Sequence, residues 1–463
     1  MTALGEATLA ELSQGVRGEL ITPESDGYDE ARSIWNGAHD RRPALVLRCK
    51  GVADVIKGVE FARSENLPLA VRGGGHSIPG FSTTDDGIVL DLSPMKGIRV
   101  DPGAKRVVAE GGVLWADLDH ETQAFGLALT GGLVSTTGIG GFTLGGGVGW
   151  LVRRLGLTAD NLVGADVVTA DGQLLHASAD ENPELFWALR GGGGNFGVVT
   201  SFEYALHDVG PMVFSGAVFY PGEHAETILN GYREFCASAP DELTTLINLT
   251  TAPPVPFLPE QVHGKPIVAI LGMWSGATAD GDKQTQGVRE LAPVIADLFG
   301  PMPYVAMQTL VDPLWPRGLH NYFRSSFLTD GLDQATIASL IRSYGELPNG
   351  LTEIHVHHLG GEVSRVPAGS TAFATRDKEF MLNLVARTPA ADGFDDAVGW
   401  LRRTTDGVGA KAGAYVNFTG EASPDMVRSS YPGDTYDRLV AVKDRYDPAN
   451  VFRLNQNIPP SKA

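Results

Sequence analysis

The sequence predicts an α+β fold in two domains, and three observations carry that expectation. A strand, a helix and a second strand follow one another between residues 44 and 72. Glycine clusters crowd the first two hundred residues and then thin out. From 208 to 409, helical and extended segments alternate with proline-rich joints such as APPVPFLP at 252–259. The elements follow in order. Residues 44–49 read as a strand, 52–65 place Val52, Val55, Ile56 and Val59 at helical spacing, and 69–72 is extended again. After RGGGH at 72–76 come strands at 88–92 and 106–109, then a helix over 113–125 that Gly126 stops. Strands at 166–170 and 173–177 flank Asp171-Gly172, a pair suited to a tight hairpin turn, and another strand spans 197–205. The last fifty residues change character, with a strand at 414–418 carrying Tyr415, a helix at 434–446 and the tail FRLNQNIPP at 452–460.

Composition narrows the function. The 463 residues are enough for a sizeable core in two or three domains. A formal net charge of −19 repels phosphate backbones and anionic membrane surfaces, so neither nucleic acid nor membrane is an expected partner. Residues 1–15 lack the basic region and apolar run of an export signal, which makes a cytoplasmic location the expectation. The two cysteines, Cys49 and Cys236, lie far apart and read as ordinary buried thiols. Glycine is the outlier: 58 residues, about one in eight against roughly 7% in an average chain.

Those glycines fall in RGGGHS at 72–77, GGLVSTTGIGGFTLGGGVG at 131–149 and GGGGNFG at 191–197. A glycine run between strands lets successive N–H groups point into one concavity, with no Cβ in the way of a ligand. Any single run can simply make a turn; three together in an acidic chain point to a large dinucleotide held mainly by backbone amides. The loop at 72–77 leads to a strand rather than a helix, which disfavours a nicotinamide cofactor. His76 closes this loop, and taken alone it reads as a loop histidine.

RGGGHS, the glycine-rich stretch 138–150, GGGGNFGVVT at 191–200, Tyr415-Val-Asn417 and the tail FRLNQNIPP, in that order, resemble the berberine-bridge-enzyme-like oxidases of the vanillyl-alcohol-oxidase flavoprotein superfamily. The resemblance runs from about residue 43 to the C-terminus and is weakest in the middle third. It implies a two-subdomain FAD-binding domain of the PCMH type, formed by residues 1–207 and completed by 410–463. A substrate domain of antiparallel sheet flanked by helices, 208–409, is implied between them. It also implies FAD bonded covalently to His76. Relatives with a second, cysteinyl bond carry it where this chain has Val134, so a single link is expected. By motif position, Arg72, Gly73, Gly74, Gly75 and Ser77 would bind pyrophosphate. Ser135, Thr136, Thr137, Gly138, Gly140, Gly141, Gly145, Gly146 and Gly147 would line the flavin. Val198 and Val199 would meet the adenine end, and Tyr415, Asn417, Asn455 and Asn457 would close over the cofactor. Thr137 stands at a position that gates oxygen in some relatives.

Oxidation of an alcohol or amine at a flavin needs a base for the O–H or N–H proton. In TEIHVHH at 352–358, Glu353, His355 and His357 alternate with Ile354 and Val356, so a strand would set all three on one face. In relatives the strand before a Gly-Gly pair, here Gly360-Gly361, faces the substrate. His355 or His357 is then the candidate base, with Glu353 orienting it. A polar solvated face and a His-x-His metal site are the other readings of the pattern, although the family normally needs no metal. Many relatives use a tyrosine base where this chain has Phe418; Tyr415 remains a further catalytic candidate. Trp35, Trp150, Tyr322 and Phe323 are aromatics for a pocket wall or for plain core.

The expected activity is hydride removal from an alcohol or amine carbon of a small sugar, alkaloid-like or secondary metabolite, with oxygen reduced to hydrogen peroxide. A flavin dehydrogenase with another acceptor and a catalytically silent flavin carrier are the alternatives. A monomer or homodimer is expected.

Overall fold

A computed structural model describes residues 5–409 and 411–462. Residues 1–4 of the N-terminal reading, Ala410 at the expected domain boundary, and Ala463 lie outside the described residues. Strands β1 (Glu19–Ile21), β2 (Leu45–Arg48), β3 (Leu69–Arg72) and β4 (Ile88–Asp91) form a sheet in the order β1-β2-β4-β3. Its last three strands are parallel. The helix Val52–Ser64 crosses from β2 to β3 and buries Val55, Val59, Phe61 and Ala62. It lies close on the sheet because Gly58 has no side chain: a Cβ there would come 2.3 Å from a Leu90 methyl.

A second sheet, antiparallel throughout, contains β5 (Ile98–Asp101), β6 (Arg106–Glu110), β8 (Leu162–Val168), β9 (Leu174–Ser178) and β10 (Val198–Ala205), while β7 (Leu127–Ala128) pairs with β11 (His207–Asp208). The β8–β9 turn is wider than a two-residue hairpin, since Thr169 N–H donates to the Gln173 carbonyl and only Gly172 takes positive φ, +84°. The helix expected over 113–125 is shorter, Trp115–Gln123, and Gly126 follows it at φ +66°.

The largest sheet, nine strands among the described residues, holds β12 (Met212–Pro221), β13 (Leu243–Thr251), β14 (Pro266–Trp274), β15 (Ala296–Asp297), β16 (Gly300–Pro303), β17 (His320–Leu328), β18 (Glu353–His358), β19 (Phe380–Thr388) and β20 (Lys411–Ala412). It runs β15-β12-β14-β13-β18-β19-β17-β20 with β16 also beside β12. Helices Ala225–Cys236, Gln334–Tyr344 and Phe394–Gly407 bury their apolar faces against one side of it. The other side is left for the glycine loops.

The C-terminal stretch returns to the first part. Leu439, Val442 and Tyr446 of the helix Thr435–Tyr446 share a core with Trp187, Phe196 and Phe202. Lys443, fully buried, donates to Asp447 (2.7 Å) and to the carbonyls of Asn195 and Phe452 (both 2.9 Å). Asn195 in turn bonds the tail at Gln456 and Ile458. The segment around Tyr415 departs from expectation. It is a 3-10 turn, Val416–Phe418, rather than a strand, because Ser325 takes both backbone groups of Tyr415 in place of a ladder neighbour.

Candidate active site

A cavity of about 690 Å³ lies between the glycine loops and the open face of the largest sheet. The loop after β3 supplies Gly73, Gly74, Gly75, His76 and Ser77. The N–H groups of Gly74, Gly75, His76 and Ser77 meet no acceptor among the described residues, which leaves a row of donors for an anionic guest. Thr137, Gly138, Gly140 and Gly141 line the trough beside it, and Val198 and Val199 line it at the start of β10. The tail brings Asn455 and Gln456, whose side-chain oxygens are buried with no partner. Orphaned oxygens and bare loop backbone on one trough fit a large ligand with both phosphates and ring donors.

His76 is stacked on Trp35, ring centroids 4.9 Å apart and planes at 17°. Its Nε2 lies 3.0 Å from Thr136 Oγ1, and its Nδ1 is 3.5 Å from Thr137 Oγ1. Burial, with Arg317 nearby, pushes its pKa down to about 4, so the ring is an uncharged nucleophile at neutral pH.

On the opposite wall, β18 is buried on both faces. Ile354 and Val356 go to the helix side, while Glu353, His355 and His357 face the cavity. Burial removes the reading of this strand as a solvated polar face. Glu353 Oε2 is 2.7 Å from His355 Nε2, and its Oε1 accepts from Arg387 Nη2 at 3.0 Å. Burial opposes ionisation of Glu353, but Arg387 and His355 outweigh it and hold the carboxyl below its ordinary pKa. Burial also takes His357 down to about 3, which keeps that ring neutral. The register of β13, β18 and β19 lines up Asn248, His355 and Asn383. The Oδ1 atoms of both asparagines are buried without partners. Trp315, Phe323 and Phe418 complete the wall. Among the described residues, no group of three or more His, Cys, Asp or Glu is placed to hold a metal ion.

A family model described as "FAD binding domain" matches residues 43–178, and one described as "Berberine and berberine like" matches 414–459. An FAD-linked oxidoreductase of Dictyostelium discoideum is 33% identical, over 97% of this chain and 96% of its own length. (R)-6-hydroxynicotine oxidase of Paenarthrobacter nicotinovorans is also 33% identical, over 96% of this chain and 97% of its own. The chain belongs to the berberine-bridge-enzyme-like family of FAD-linked oxidoreductases. The crystal structure of 6-hydroxy-D-nicotine oxidase from Arthrobacter nicotinovorans superimposes on this oxidoreductase with a TM-score of 0.87, at 29% identity and over 96% of this chain and 98% of that one.

Several residues assigned to the flavin by motif stand elsewhere in this FAD-linked oxidoreductase. Arg72 does not line the trough; its guanidinium is consumed by the Ala31 carbonyl and by Asp91 at 2.8 Å, so it ties β3 to β4. Ser135 turns away to give its N–H and hydroxyl to Asp312, 2.9 and 2.5 Å. Thr136 reaches His76 but is otherwise exposed. Gly145, Gly146 and Gly147 are glycines for packing, with added Cβ atoms 2.2 Å from Asn417, 2.6 Å from Phe373 and 2.3 Å from Thr158. Asn457 is absent from the trough lining, where its neighbour Gln456 stands.

Tyr415, a further catalytic candidate, does not line the cavity. Buried behind the cavity, its hydroxyl accepts from the N–H groups of Gly147 (3.0 Å) and Val148 (3.2 Å) and from Asn417 Nδ2 (3.0 Å). Burial, opposed by these bonds, raises its pKa to about 12. Its work is to shape the glycine loop and to aim Asn417, which does line the trough. Of the four aromatics singled out, Trp35, Trp150 and Phe323 line the cavity and Tyr322 does not.

Asn248, Asn383, Arg387, Trp315 and Gln456 escaped the motif reading. Asn383 and Arg387 interrupt a strand that is otherwise mostly apolar, FMLNLVART, and Asn248 stands among threonines in LTTLINLTT. A lone polar side chain in a strand buried on both faces is a signal that can be read, since burial without a partner is costly.

Proposed function

We propose that this flavoprotein is an FAD-dependent oxidase that removes a hydride from an alcohol or amine carbon of a small organic molecule and reduces oxygen to hydrogen peroxide. The observation that carries this reading is the Glu353–His355 pair at 2.7 Å, facing the same cavity as His76 and the glycine loops. FAD, when bound, supplies the hydride acceptor and passes the electrons on. His76 would hold it by one covalent bond. Val134 lines the cavity at the position expected for a second link, and both cysteines are buried in other cores.

His355 Nε2–H donates to Glu353, which leaves the Nδ1 lone pair, unbonded among the described residues, to take the proton from the substrate's O–H or N–H. Glu353 then stabilises the imidazolium that results. Trp315, its ring 6.0 Å from that of His355, shares the cavity wall with Phe323 and Phe418 and gives the pair an apolar setting. Sugars, alkaloid-like amines and secondary-metabolite alcohols are the substrate classes. Similarity to a hydroxynicotine oxidase supports an amine among them.

Acid denaturation followed by intact mass tests the cofactor link, and peroxide release on a panel of alcohols and amines tests the reaction. Flavin retained in the wild type and lost in His76→Ala, with peroxide formed, is the expected pair of results. Flavin released from the wild type would remove the covalent link, and turnover in air without peroxide would favour a dehydrogenase.

A further inference from the structure

Arg387 sits on β19, where its side chain is almost fully buried. It has more anchors than a charge pair needs. Nη1 donates to the Leu314 carbonyl at 2.7 Å, Nε to the Leu351 carbonyl at 3.3 Å, and the guanidinium carbon lies 4.2 Å over the Trp315 ring. The remaining nitrogen, Nη2, takes Glu353 Oε1. The guanidinium is therefore fixed by groups other than the carboxylate it meets, with the fork geometry that arginine alone provides.

Charge balance gives this placement its meaning. A buried carboxylate beside an imidazole and nothing else is compensated most simply by a proton on the imidazole. Such a histidine is already loaded and cannot accept a proton from substrate. With Arg387 in place the cluster Arg387⁺–Glu353⁻–His355 is already neutral while the imidazole is uncharged. The other surroundings of His355 bring no competing charge. Its own strand adds His357, a neutral ring. β13 adds Asn248, and β19 adds Asn383 beside Arg387. The 311–319 segment faces it with Trp315, while Asp312 and Arg317 on that segment are turned to Ser135 and Ser33.

We propose that Arg387 is a positioning residue of the active site, which occupies one oxygen of Glu353 so that His355 stands uncharged, with its Nε2–H directed to Glu353 and its Nδ1 free to receive the substrate proton. The inference rests on the reading of His355 as the base.

The test uses FAD-loaded protein labelled with 15N-histidine, in which the ring shifts report which nitrogens carry protons. In the wild type near neutral pH, His355 is expected as the singly protonated Nε2–H form. In Arg387→Met the doubly protonated fraction should rise about tenfold. It should fall back in Arg387→Lys and in the double variant Arg387→Met/Glu353→Gln, where both charges are gone. Arg387→Gln, which can still donate toward the Leu314 and Leu351 carbonyls, carries the same comparison if the Met variant does not fold. A His355 ring whose proton count is the same in wild type and the charge-removing variant overturns the proposal. Stopped-flow flavin reduction with an alcohol or amine found by the peroxide screen separates the two readings. If His355→Ala reduces flavin at the wild-type rate, His355 is not the base and the proposal falls with that reading. If His355→Ala is slow while the ring protonation ignores Arg387, only the present inference fails.

Discussion

The backbones of Gly74 and Gly138 meet face to face: a Cβ on Gly74 would lie 2.3 Å from Gly138 N, and a Cβ on Gly138 would lie 2.3 Å from Gly74 N. Two loops from distant parts of the chain thereby close the trough with main chain alone. Neither contact is relieved by rotating a side chain. Gly74→Ala and Gly138→Ala should each destabilise the fold by about 1–3 kcal/mol and lower flavin content. Gly141→Ala, where added Cβ meets nothing within 4 Å, should keep the melting temperature of the apoprotein. Thermal unfolding and the flavin-to-protein absorbance ratio read both effects, and an unperturbed Gly74→Ala variant would contradict the close approach.

If His355 is the base, its removal must slow the step that moves hydride and little else. His355→Ala is expected to lower the rate of flavin reduction about 10²–10⁴-fold, with the spectrum of the bound flavin retained. His357→Ala should cost far less, because His357 lacks the carboxylate that orients His355. Anaerobic stopped-flow with a turned-over substrate decides the ranking, and the reverse order would assign the proton to His357.

Tyr415→Phe separates positioning from chemistry. Losing the hydroxyl leaves two buried backbone donors, on Gly147 and Val148, without their acceptor, while Asn417 Nδ2 keeps the Phe142 carbonyl. A loss of about 1–3 kcal/mol of stability is expected. The pH dependence of flavin reduction should keep its shape, whereas a tyrosine base would take one limb of the profile with it.

Asp119 links the helix Trp115–Gln123 to the short helix Tyr304–Gln308. Its Oδ2 accepts from Gln308 Nε2 at 2.9 Å, and its Oδ1 is buried without a partner. Burial raises its pKa to about 7, only partly offset by the Gln308 hydrogen bond. In the unfolded chain the same group loses its proton near pH 4. Between those values the folded state holds the extra proton, so this residue's contribution to stability falls as pH rises through the window and is level above it. Asp119→Asn should therefore be more stable than the wild type above pH 7, by about 1–4 kcal/mol, with the gain vanishing near pH 4. Urea denaturation at the two pH values checks the sign, and a gain confined to low pH would contradict it.

Local chemistry in the chain was enough for the β-α-β start, the crossing helix Val52–Ser64, the two-residue periodicity of Glu353, His355 and His357, and the motif order that marks the family. These depend on periodicity and on glycine placement, which are properties of neighbours in sequence. Motif position was a poorer guide to what each polar residue touches. Arg72 was assigned to phosphate, but Asp91 and Ala31, brought in by parallel pairing, use its donors. Tyr415 looked like a catalytic phenol until the fold placed Gly147 and Val148 against its hydroxyl. Asn248 and Asn383 come beside His355 only through the register of β13, β18 and β19, and Arg387 reaches Glu353 from β19. The sequence by itself determined most strands and helices of the first two hundred residues and the bare glycine loops, because those follow from each residue's own backbone and apolar spacing, whereas the expected strand at 414–418 folds as a 3-10 turn. Tertiary structure alone decided which hydrogen-bonding groups are spent inside the protein and which remain free to face the cavity, because a donor's partner is set by pairing between different segments, from 19 residues apart for Arg72 and Asp91 to 268 for Gly147 and Tyr415.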